Sequence, residues 1–167
     1  MNRSIFILLG SNVGDRNSHL NYARQEISRL IGEIITVSSI YKTAAWGKTE
    51  QPAFYNQVIE IKSKFTPEKM LSVILEIEKE AGRIRVEKWG PRILDIDILL
   101  WGDLVIMTEH LTVPHPEIPN RRFTLLPLNE IAHNFIHPTT MKSISQMLAA
   151  CTDDLVVEKL SAFGFTG

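Results

Sequence analysis

The chain has 167 residues, of which 44% are apolar and 22% charged, an ordinary composition for a globular protein with a core. A chain of this length buries roughly 70% of its unfolded surface, so we expect a single domain, residues 1–167, that needs no disulfide or structural metal. Eighteen Lys and Arg against nineteen Asp and Glu leave a formal charge of −1. This balance disfavours broad binding to nucleic acid or to an acidic membrane.

The cysteine content and the amino-terminal residues favour a cytoplasmic protein. Cys151 is the one cysteine in the sequence, so it cannot form an internal disulfide, which fits a reducing compartment. The first apolar run covers only residues 5–9. Such a run is too short for a signal sequence or a membrane-spanning helix.

The spacing of apolar residues predicts the elements of the first hundred residues. Residues 4–9 form a continuous apolar run, which suits a central strand buried on both faces. Helical spacing or strand-like alternation marks the segments that follow. In chain order we expect a strand at 4–9, a helix at 17–31, strands at 35–41 and 57–62, a helix at 67–81 and a strand at 93–101.

This order, β-α-β-β-α-β, matches the ferredoxin-like arrangement. We therefore expect an α+β fold with a mainly antiparallel sheet, helices packed on one face of it, and C-terminal additions. The additions are a short run at 104–107 that could be a hairpin partner, and short helices at 123–131 and 144–150. Because this fold hosts many functions, the chemistry has to be argued from individual residues.

The most informative residues are two carboxylates in the strand at 93–101. Asp95 and Asp97 point to one face of a strand, with Cα atoms roughly 6.5–7 Å apart. Paired carboxylates repel each other and are costly to bury unless a cation joins them. Their oxygens suit Mg²⁺, as one ion or as two ions about 3.5–4 Å apart. The alternative is a solvated pair that forms ion pairs with nearby Arg or Lys.

Basic side chains precede the acidic pair within fifteen positions. They are Arg83, Arg85, Lys88 and Arg92. Guanidinium groups beside a metal-binding acidic pair are what a polyphosphate requires, since both neutralise its oxygens. The alternative for each is a surface ion pair, worth about 0–1 kcal/mol.

Short motifs in a fixed order cover most of residues 4–138. They are GSNVGD at 10–15, YKT at 41–43, WG at 46–47, QPAFYN at 51–56, Glu78, GRIR at 82–85, KWGPRILDIDIL at 88–99, VPHP at 113–116, RRFTL at 121–125 and PL at 127–128. This set resembles the 6-hydroxymethyl-7,8-dihydropterin pyrophosphokinase family of folate biosynthesis. Members transfer pyrophosphate from ATP to the hydroxymethyl group of the pterin and release AMP.

The resemblance implies roles on the nucleotide side. Asp95 and Asp97 would bind two Mg²⁺ ions, and Arg83 and Arg92 would contact the phosphates in the transition state. The matched nucleotide-binding positions are Glu78, Arg85, Trp89, Arg92, His115 and Arg121. His115 lies between two prolines, so it would be a rigid loop donor to a phosphate oxygen, or else a solvent-exposed residue.

The resemblance also implies a pterin site. Phe54 and Phe123 would sandwich the ring, and Asn56 would read its edge with a donor and an acceptor. Backbone groups of the loop that precedes Phe54 would bind the same ring. The matched positions in that loop are Thr43, Ala44 and Trp46. The alternative for both phenylalanines is core packing. Tyr55, which faces the other way in an extended segment, could take the core role instead.

Other motifs have structural interpretations. Residues 10–15 lack the Gly-Lys-Ser/Thr ending of a phosphate loop, which favours a turn that begins a helix. His133 and His137 have the spacing of helical metal ligands, but no third ligand is apparent, so we interpret them as structural. The sequence departs from patterns common in the family at Ala44-Ala45, Leu75 and His110. The resemblance therefore does not determine which substrate contacts these positions make.

Three hypotheses follow. The first is the pyrophosphokinase, expected as a monomer whose small-molecule product is used by dihydropteroate synthase. The second is another metal-dependent nucleotide enzyme, which would release ADP or pyrophosphate rather than AMP. The third is a ferredoxin-like binding module for RNA, although the sequence lacks the aromatic signature of an RNA-recognition module.

Overall fold

The computed structural model describes residues 3–44, 52–82 and 93–160. The strands are β1 (Ile5–Ser11), β2 (Glu33–Val37), β3 (Tyr41–Thr43), β4 (Phe54–Lys62), β5 (Asp95–Trp101), β6 (Ile106–Met107), β7 (Thr112–Val113) and β8 (Val157–Lys159). The helices are α1 (Arg16–Leu30), α2 (Pro67–Glu80), α3 (Arg122–Ala132) and α4 (Ile144–Ala150). In these ranges no helix combines the length and the apolarity needed to cross a membrane.

The main sheet of the described residues is antiparallel at every pairing. Its strands lie in the order β5-β1-β4-β3-β8, and β2 also pairs with β4. The α+β class and the mainly antiparallel sheet are therefore confirmed, whereas the ferredoxin-like description stays an interpretation of element order. The run at 104–107 does form a hairpin, but β6 pairs with the later strand β7.

The strand predicted at 35–41 is two strands, β2 and β3. Ser38 lies between them, and its backbone N–H donates to the carbonyl of Val58 at 2.9 Å. Its side-chain oxygen accepts the N–H of Val58, also at 2.9 Å. A side chain that takes over a ladder hydrogen bond interrupts the regular strand. Both halves still pair with β4.

Helices cover both faces of the sheet. Ile5, Ile7 and Leu9 of β1 pack in one core with residues of α1 and α2. Phe6 and Leu8, which point the other way, pack in a second core with residues of α3 and α4. All seven residues of β1 are buried, so the prediction of a strand buried on both faces is confirmed. The helices of the first hundred residues, α1 and α2, lie on one face as expected, and the C-terminal helices α3 and α4 cover the second face.

Strand register positions the site residues. Gly10 of β1 is paired with Asn56 on one side and with Asp95 on the other. Residues paired across strands, and residues two positions apart, share a face of a sheet. The residues that thereby share the α3/α4 face are Thr43, Phe54, Asn56, Asp95 and Asp97.

Candidate active site

The acidic pair lies on β5, at the edge of the sheet. Asp95 and Asp97 are both half-buried on the α3/α4 face. Ile96 and Ile98, each 5% exposed, pack in the opposite core. The predicted alternation is thus confirmed from Leu94 to Ile98, and both carboxylates project to the same side of the sheet. It was wrong for Leu100, which lies in the α3/α4 core because the register shifts after Ile98.

Glu78 of α2 holds the backbone between the two aspartates. Its side chain is 4% exposed, and Oε2 accepts the backbone N–H of Ile96 at 2.8 Å. A buried N–H without an acceptor would be costly, so this bond fixes β5 against α2. The nucleotide contact that the resemblance implies for Glu78 stays a prediction.

A cavity of about 210 Å³ brings Asp97 and His115 together. It lies between α2, β5 and residues 110–116, and Leu71, Ile74 and Ile98 contribute apolar lining. Polar groups as well as apolar side chains line this cavity, so it could offer both kinds of contact to a small ligand. His110 also lines this cavity, so that departure from the family pattern lies where a ligand would be contacted.

His115 is held in one orientation by two hydrogen bonds. Its backbone N–H donates to the carbonyl of Leu99 at 2.9 Å, and its Nδ1 accepts the N–H of Glu117 at 3.1 Å. With Nδ1 used as an acceptor, the neutral ring carries its proton on Nε2. Burial lowers the pKa of His115, and the positive charge of Arg121 lowers it further against the opposing effect of Glu117. The side chain therefore offers a neutral N–H donor at pH 7.

Arg121 and Phe123 flank the start of α3. The guanidinium carbon of Arg121 lies 5.7 Å from the centre of the Phe123 ring. Arg121 Nε lies 3.9 Å from a carboxylate oxygen of Glu117. Phe123 is half-buried and packs against the α3/α4 core. Core packing therefore buries part of the Phe123 ring, and the rest of the ring is accessible to solvent.

Thr43, Phe54 and Asn56, which the resemblance assigns to the pterin site, lie on β3 and β4. Asn56 is 4% exposed, and a Cβ placed on Gly10 would lie 2.8 Å from its Oδ1, so the amide needs a glycine opposite it. Thr43 is 2% exposed, and its Oγ1 has no hydrogen-bond partner among the described residues. A buried hydroxyl in this state is rare in native proteins and suits a position that a ligand completes. Phe54 is half-buried and Ala44 is exposed.

The family model for 7,8-dihydro-6-hydroxymethylpterin-pyrophosphokinase matches residues 6–133. The chain belongs to this family. The Aquifex aeolicus pyrophosphokinase for 2-amino-4-hydroxy-6-hydroxymethyldihydropteridine is 43% identical over 143 residues, covering 86% of this chain and 89% of that protein. Its Haemophilus influenzae counterpart is 37% identical over 154 residues, covering 92% and 96%. Pyrophosphokinase activity in folate biosynthesis is therefore the function of this chain.

A solved structure supports the same fold. The crystal structure of wild-type Plasmodium falciparum HPPK-DHPS superimposes with a TM-score of 0.73 at 18% identity. It covers 90% of this chain, whereas this chain spans 45% of that protein. At this level of identity the likeness bears on the fold alone.

Several residues implied by the family resemblance lie outside the described residues. They are Trp46, Arg83, Arg85, Trp89 and Arg92. If the proposed site is correct, Asp95, Asp97, Arg92 and His115 should converge on one cleft. Asp97 and His115 do line one cavity, Asp95 is not among its lining residues, and Arg92 lies outside the described residues. Within the described ranges, no group of three or more His, Cys, Asp or Glu side chains could hold a metal ion.

The structural interpretations of residues 10–15 and of His137 are confirmed, whereas that of His133, which is exposed, stays a prediction. Asp15 begins α1, with Oδ1 accepting the N–H of Ser18 at 3.1 Å. Nδ1 of His137 accepts the backbone N–H groups of Thr139 and Thr140, which gives this histidine a role in the chain turn. Tyr55 packs partly against the α1/α2 core, as expected from its facing.

Sequence reasoning missed two acidic residues that hold α3 in place. Glu130 accepts hydrogen bonds from Ser39 Oγ at 2.9 Å and from Tyr41 Oη at 2.8 Å. Asp153 accepts the backbone N–H of Arg122 at 2.9 Å. Asp153 also lies beyond the part matched by the family model. No motif marked either residue, because their partners are distant in sequence.

Proposed function

We propose that the chain transfers the pyrophosphoryl group of ATP to the hydroxymethyl oxygen of 6-hydroxymethyl-7,8-dihydropterin. The bond from that oxygen to the β-phosphorus forms, the bond from the β-phosphorus to the α,β-bridging oxygen breaks, and AMP leaves. Dependence on ATP and Mg²⁺ is general for the family. The proposal is supported most by one feature, the shared sheet face of the acidic pair and Asn56.

The cross-strand row Asn56–Gly10–Asp95 supports this arrangement of substrates. Neighbouring strands lie about 4.8 Å apart, so Asn56 and Asp95 are roughly 10 Å apart across β1. The Asn56 amide occupies the space that a Cβ on Gly10 would fill, so a flat bicyclic ring read by Asn56 would lie against that amide on the same sheet face. Its hydroxymethyl arm would then reach toward the carboxylate pair, where the phosphates of ATP are expected.

The donor set of β5 fits Mg²⁺. Asp95 and Asp97 supply carboxylate oxygens on one face of a half-buried strand. Mg²⁺ usually takes only one or two protein carboxylates and completes its shell with water and substrate phosphates. We propose that these two residues hold two Mg²⁺ ions. When bound, the ions would neutralise the triphosphate and hold it near the attacking hydroxyl.

The other side chains would bind and orient the substrates. Nε2–H of His115 would donate to a phosphate oxygen. On the pterin side, the Asn56 amide would pair with the ring edge and Phe123 would stack on the ring. The remaining roles are proposed from the family resemblance: pterin contacts for Thr43, Ala44, Trp46 and Phe54, and nucleotide or phosphate contacts for Glu78, Arg83, Arg85, Trp89, Arg92 and Arg121.

Analysis of the nucleotide products tests the reaction. With ATP, Mg²⁺ and the pterin we expect pterin-dependent formation of AMP, which Asp95→Ala abolishes. Asp103→Ala is the matched control, because Asp103 is exposed and forms an ion pair with Arg3, away from the site. Formation of ADP, or release of pyrophosphate, would instead support a different nucleotide enzyme. Full activity of Asp95→Ala would contradict the metal assignment.

The proposal also includes the location of the enzyme, its oligomeric state and the enzyme that uses its product. We place it in the cytoplasm as a monomer and single catalytic domain, with dihydropteroate synthase using its product. The name HPPK-DHPS of the Plasmodium falciparum protein supports that link. Size-exclusion chromatography should give the mass of one chain, 19.0 kDa. Elution at twice this mass would contradict the monomer.

A further inference from the structure

The segment after α4 touches two elements of the proposed pterin site. Oδ2 of Asp153 accepts the backbone N–H of Arg122, the first residue of α3, at 2.9 Å. A few residues later, β8 pairs with β3 and places Val157 opposite Thr43. Residues 153–160, here called the C-terminal strap, therefore contact the helix that begins beside Phe123 and the strand that ends at Thr43.

At its first end, the strap supplies a cap that α3 otherwise lacks. Arg121 occupies the N-cap position of α3, and its side chain makes no capping hydrogen bond. Asp153, 31 positions away from Arg122 in sequence, provides the acceptor instead. A carboxylate at this position satisfies an N–H of the first turn and interacts favourably with the helix dipole. Phe123 lies in that first turn, so the cap stabilises the backbone that carries its ring.

At its other end, the strap fixes β3. This strand has only three residues and lies between β4 and β8. Backbone pairing continues past β8, where the N–H of Leu160 donates to the carbonyl of Ile40 at 2.9 Å. The four residue-to-residue steps from Asp153 to Val157 span at most about 14 Å when extended. Separation of α3 from β3 would therefore break the cap or the pairing.

We infer that the C-terminal strap sets the width of the pterin pocket, and that Asp153 is a positioning residue acting through Phe123. The inference rests on the proposed function and deepens it. Asp153 itself touches no substrate. Asp153 stabilises the helical form of the first turn of α3. In that form Phe123 faces β3 and β4 across the pocket, so the cap increases the fraction of molecules with Phe123 in this position. Binding of the pterin then depends on Asp153 more strongly than binding of ATP does, because Arg121, the N-cap residue of α3, is only one of several proposed nucleotide contacts.

The test compares steady-state kinetics of variants of the full chain. We expect Asp153→Ala to raise the KM for the pterin about fivefold, the equilibrium effect of losing one helix cap. The KM for ATP and kcat should stay within about twofold of the unmodified chain. Asp153→Asn should restore the pterin KM, because its amide oxygen still accepts the N–H of Arg122.

Ser143→Ala is the matched control. Ser143 caps α4 by accepting the N–H of Gln146 at 3.1 Å, so its loss carries a similar stability cost away from β3 and the start of α3. An unchanged pterin KM in Asp153→Ala, an equal rise in both KM values, or the same effect in Ser143→Ala would overturn the inference. Asn56→Ala distinguishes failure of the strap inference from failure of the proposed function. If Asn56→Ala also leaves the pterin KM unchanged, the proposed pterin site is wrong.

Hydrogen exchange on the unmodified chain gives a second test that needs no variant to fold. With Mg²⁺ and a nonhydrolysable ATP analogue present, addition of the pterin should slow exchange of the Arg122 amide and of amides in 157–159 together. Slowing at neither place, or at only one of them, would overturn the inference.

Discussion

Gly10 and Asn56 show how closely residues are fitted around the proposed pterin site. The two are paired across β1 and β4, and the buried Asn56 side chain lies over the position where Gly10 lacks a Cβ. The orientation of the amide thus depends on a neighbour that contributes no side-chain atom. Gly10, which has no side chain, would in this way control the contact proposed between Asn56 and the pterin.

We predict that Gly10→Ala raises the KM for the pterin about tenfold, the effect of losing one to two hydrogen bonds to the ring. The added Cβ would lie 2.8 Å from Asn56 Oδ1, so the amide must turn away. A double-mutant cycle measures this. Gly10→Ala should have little further effect in an Asn56→Ala background, whereas additive effects would show that the two residues act independently.

The hydrogen bonds of His115 determine which of its ring nitrogens carries the proton. Because Nδ1 accepts the N–H of Glu117, Nε2–H is the group available to a ligand. We predict that His115→Ala raises the KM for ATP about tenfold, as expected for one hydrogen bond to a charged group, and leaves the KM for the pterin unchanged. His133→Ala is the control, since His133 is exposed.

The pH dependence of ATP binding follows from the same contacts. Burial lowers the pKa of His115 below its ordinary value of 6.5, so the ring stays neutral at and above that pH. The histidine-dependent difference in KM for ATP, measured between the unmodified chain and His115→Ala, should therefore be constant from pH 7 to pH 8. A difference that grows as the pH falls from 8 to 7 would show that the charged imidazolium is the form that binds.

At the scale of elements, the edge of β5 is held by α2 through Glu78. We predict that Glu78→Ala lowers the free energy of unfolding by about 1–3 kcal/mol, because the buried N–H of Ile96 loses its acceptor. It should also raise the Mg²⁺ concentration needed for half-maximal activity, since that N–H lies between Asp95 and Asp97. Urea denaturation and a magnesium titration measure the two effects.

Two further variants interpret the Glu78 result. Glu78→Gln keeps an acceptor and should retain most of the stability and the magnesium dependence of the unmodified chain. Glu76→Ala alters an exposed glutamate of the same helix and should change neither quantity. A stability loss in Glu78→Ala with an unchanged magnesium requirement would restrict the role of Glu78 to folding.

Element bounds were predictable where the signal is local. The helices predicted at 17–31 and 67–81 agree with α1 and α2 within one residue at each end, and the helix at 144–150 agrees at both ends. Helical periodicity is a property of neighbouring residues, so it can be read directly. β8 was not predicted, because three half-buried or exposed residues have no pattern and the strand is defined by its pairing with β3.

The same limit applies to the site. The facing of Asp95 and Asp97 follows from strand alternation and was predictable. The Glu78–Ile96 bond joins residues 18 positions apart, and the Asp153–Arg122 bond joins residues 31 positions apart. Contacts of this kind depend on how elements are packed together, which spacing within one element does not encode.

For the whole molecule, β1 is the element that joins the two halves of the site. It lies between β4, which carries Asn56, and β5, which carries the acidic pair. Two cores, one on each face, bury β1 completely. The separation between the proposed pterin and metal positions is therefore set by β1, the most deeply buried strand among the described residues. The position of Phe123 on the other side of the pterin pocket depends on α3 and the C-terminal strap.

Stability should also depend on pH because of His137, a buried histidine near the α3/α4 core. This residue is 5% exposed and lies in the connection from α3 to α4, where its Nδ1 accepts two backbone N–H groups. Burial lowers the pKa of His137 in the folded chain below the ordinary value of 6.5. Its stabilising contribution is thus fully present above about pH 6.5 and is lost as the pH falls through the lower, folded pKa.

We predict that the free energy of unfolding falls more steeply between pH 7.5 and pH 5 in the unmodified chain than in His137→Asn. The variant should be less stable at pH 7.5 by about 1–2 kcal/mol, the value of two backbone hydrogen bonds, and the difference should shrink at pH 5. Urea denaturation at both pH values measures it. Carboxylates and His115 titrate in both chains, so their effects cancel in the comparison. Parallel pH profiles would show that protonation of His137 does not oppose folding of the α3–α4 connection.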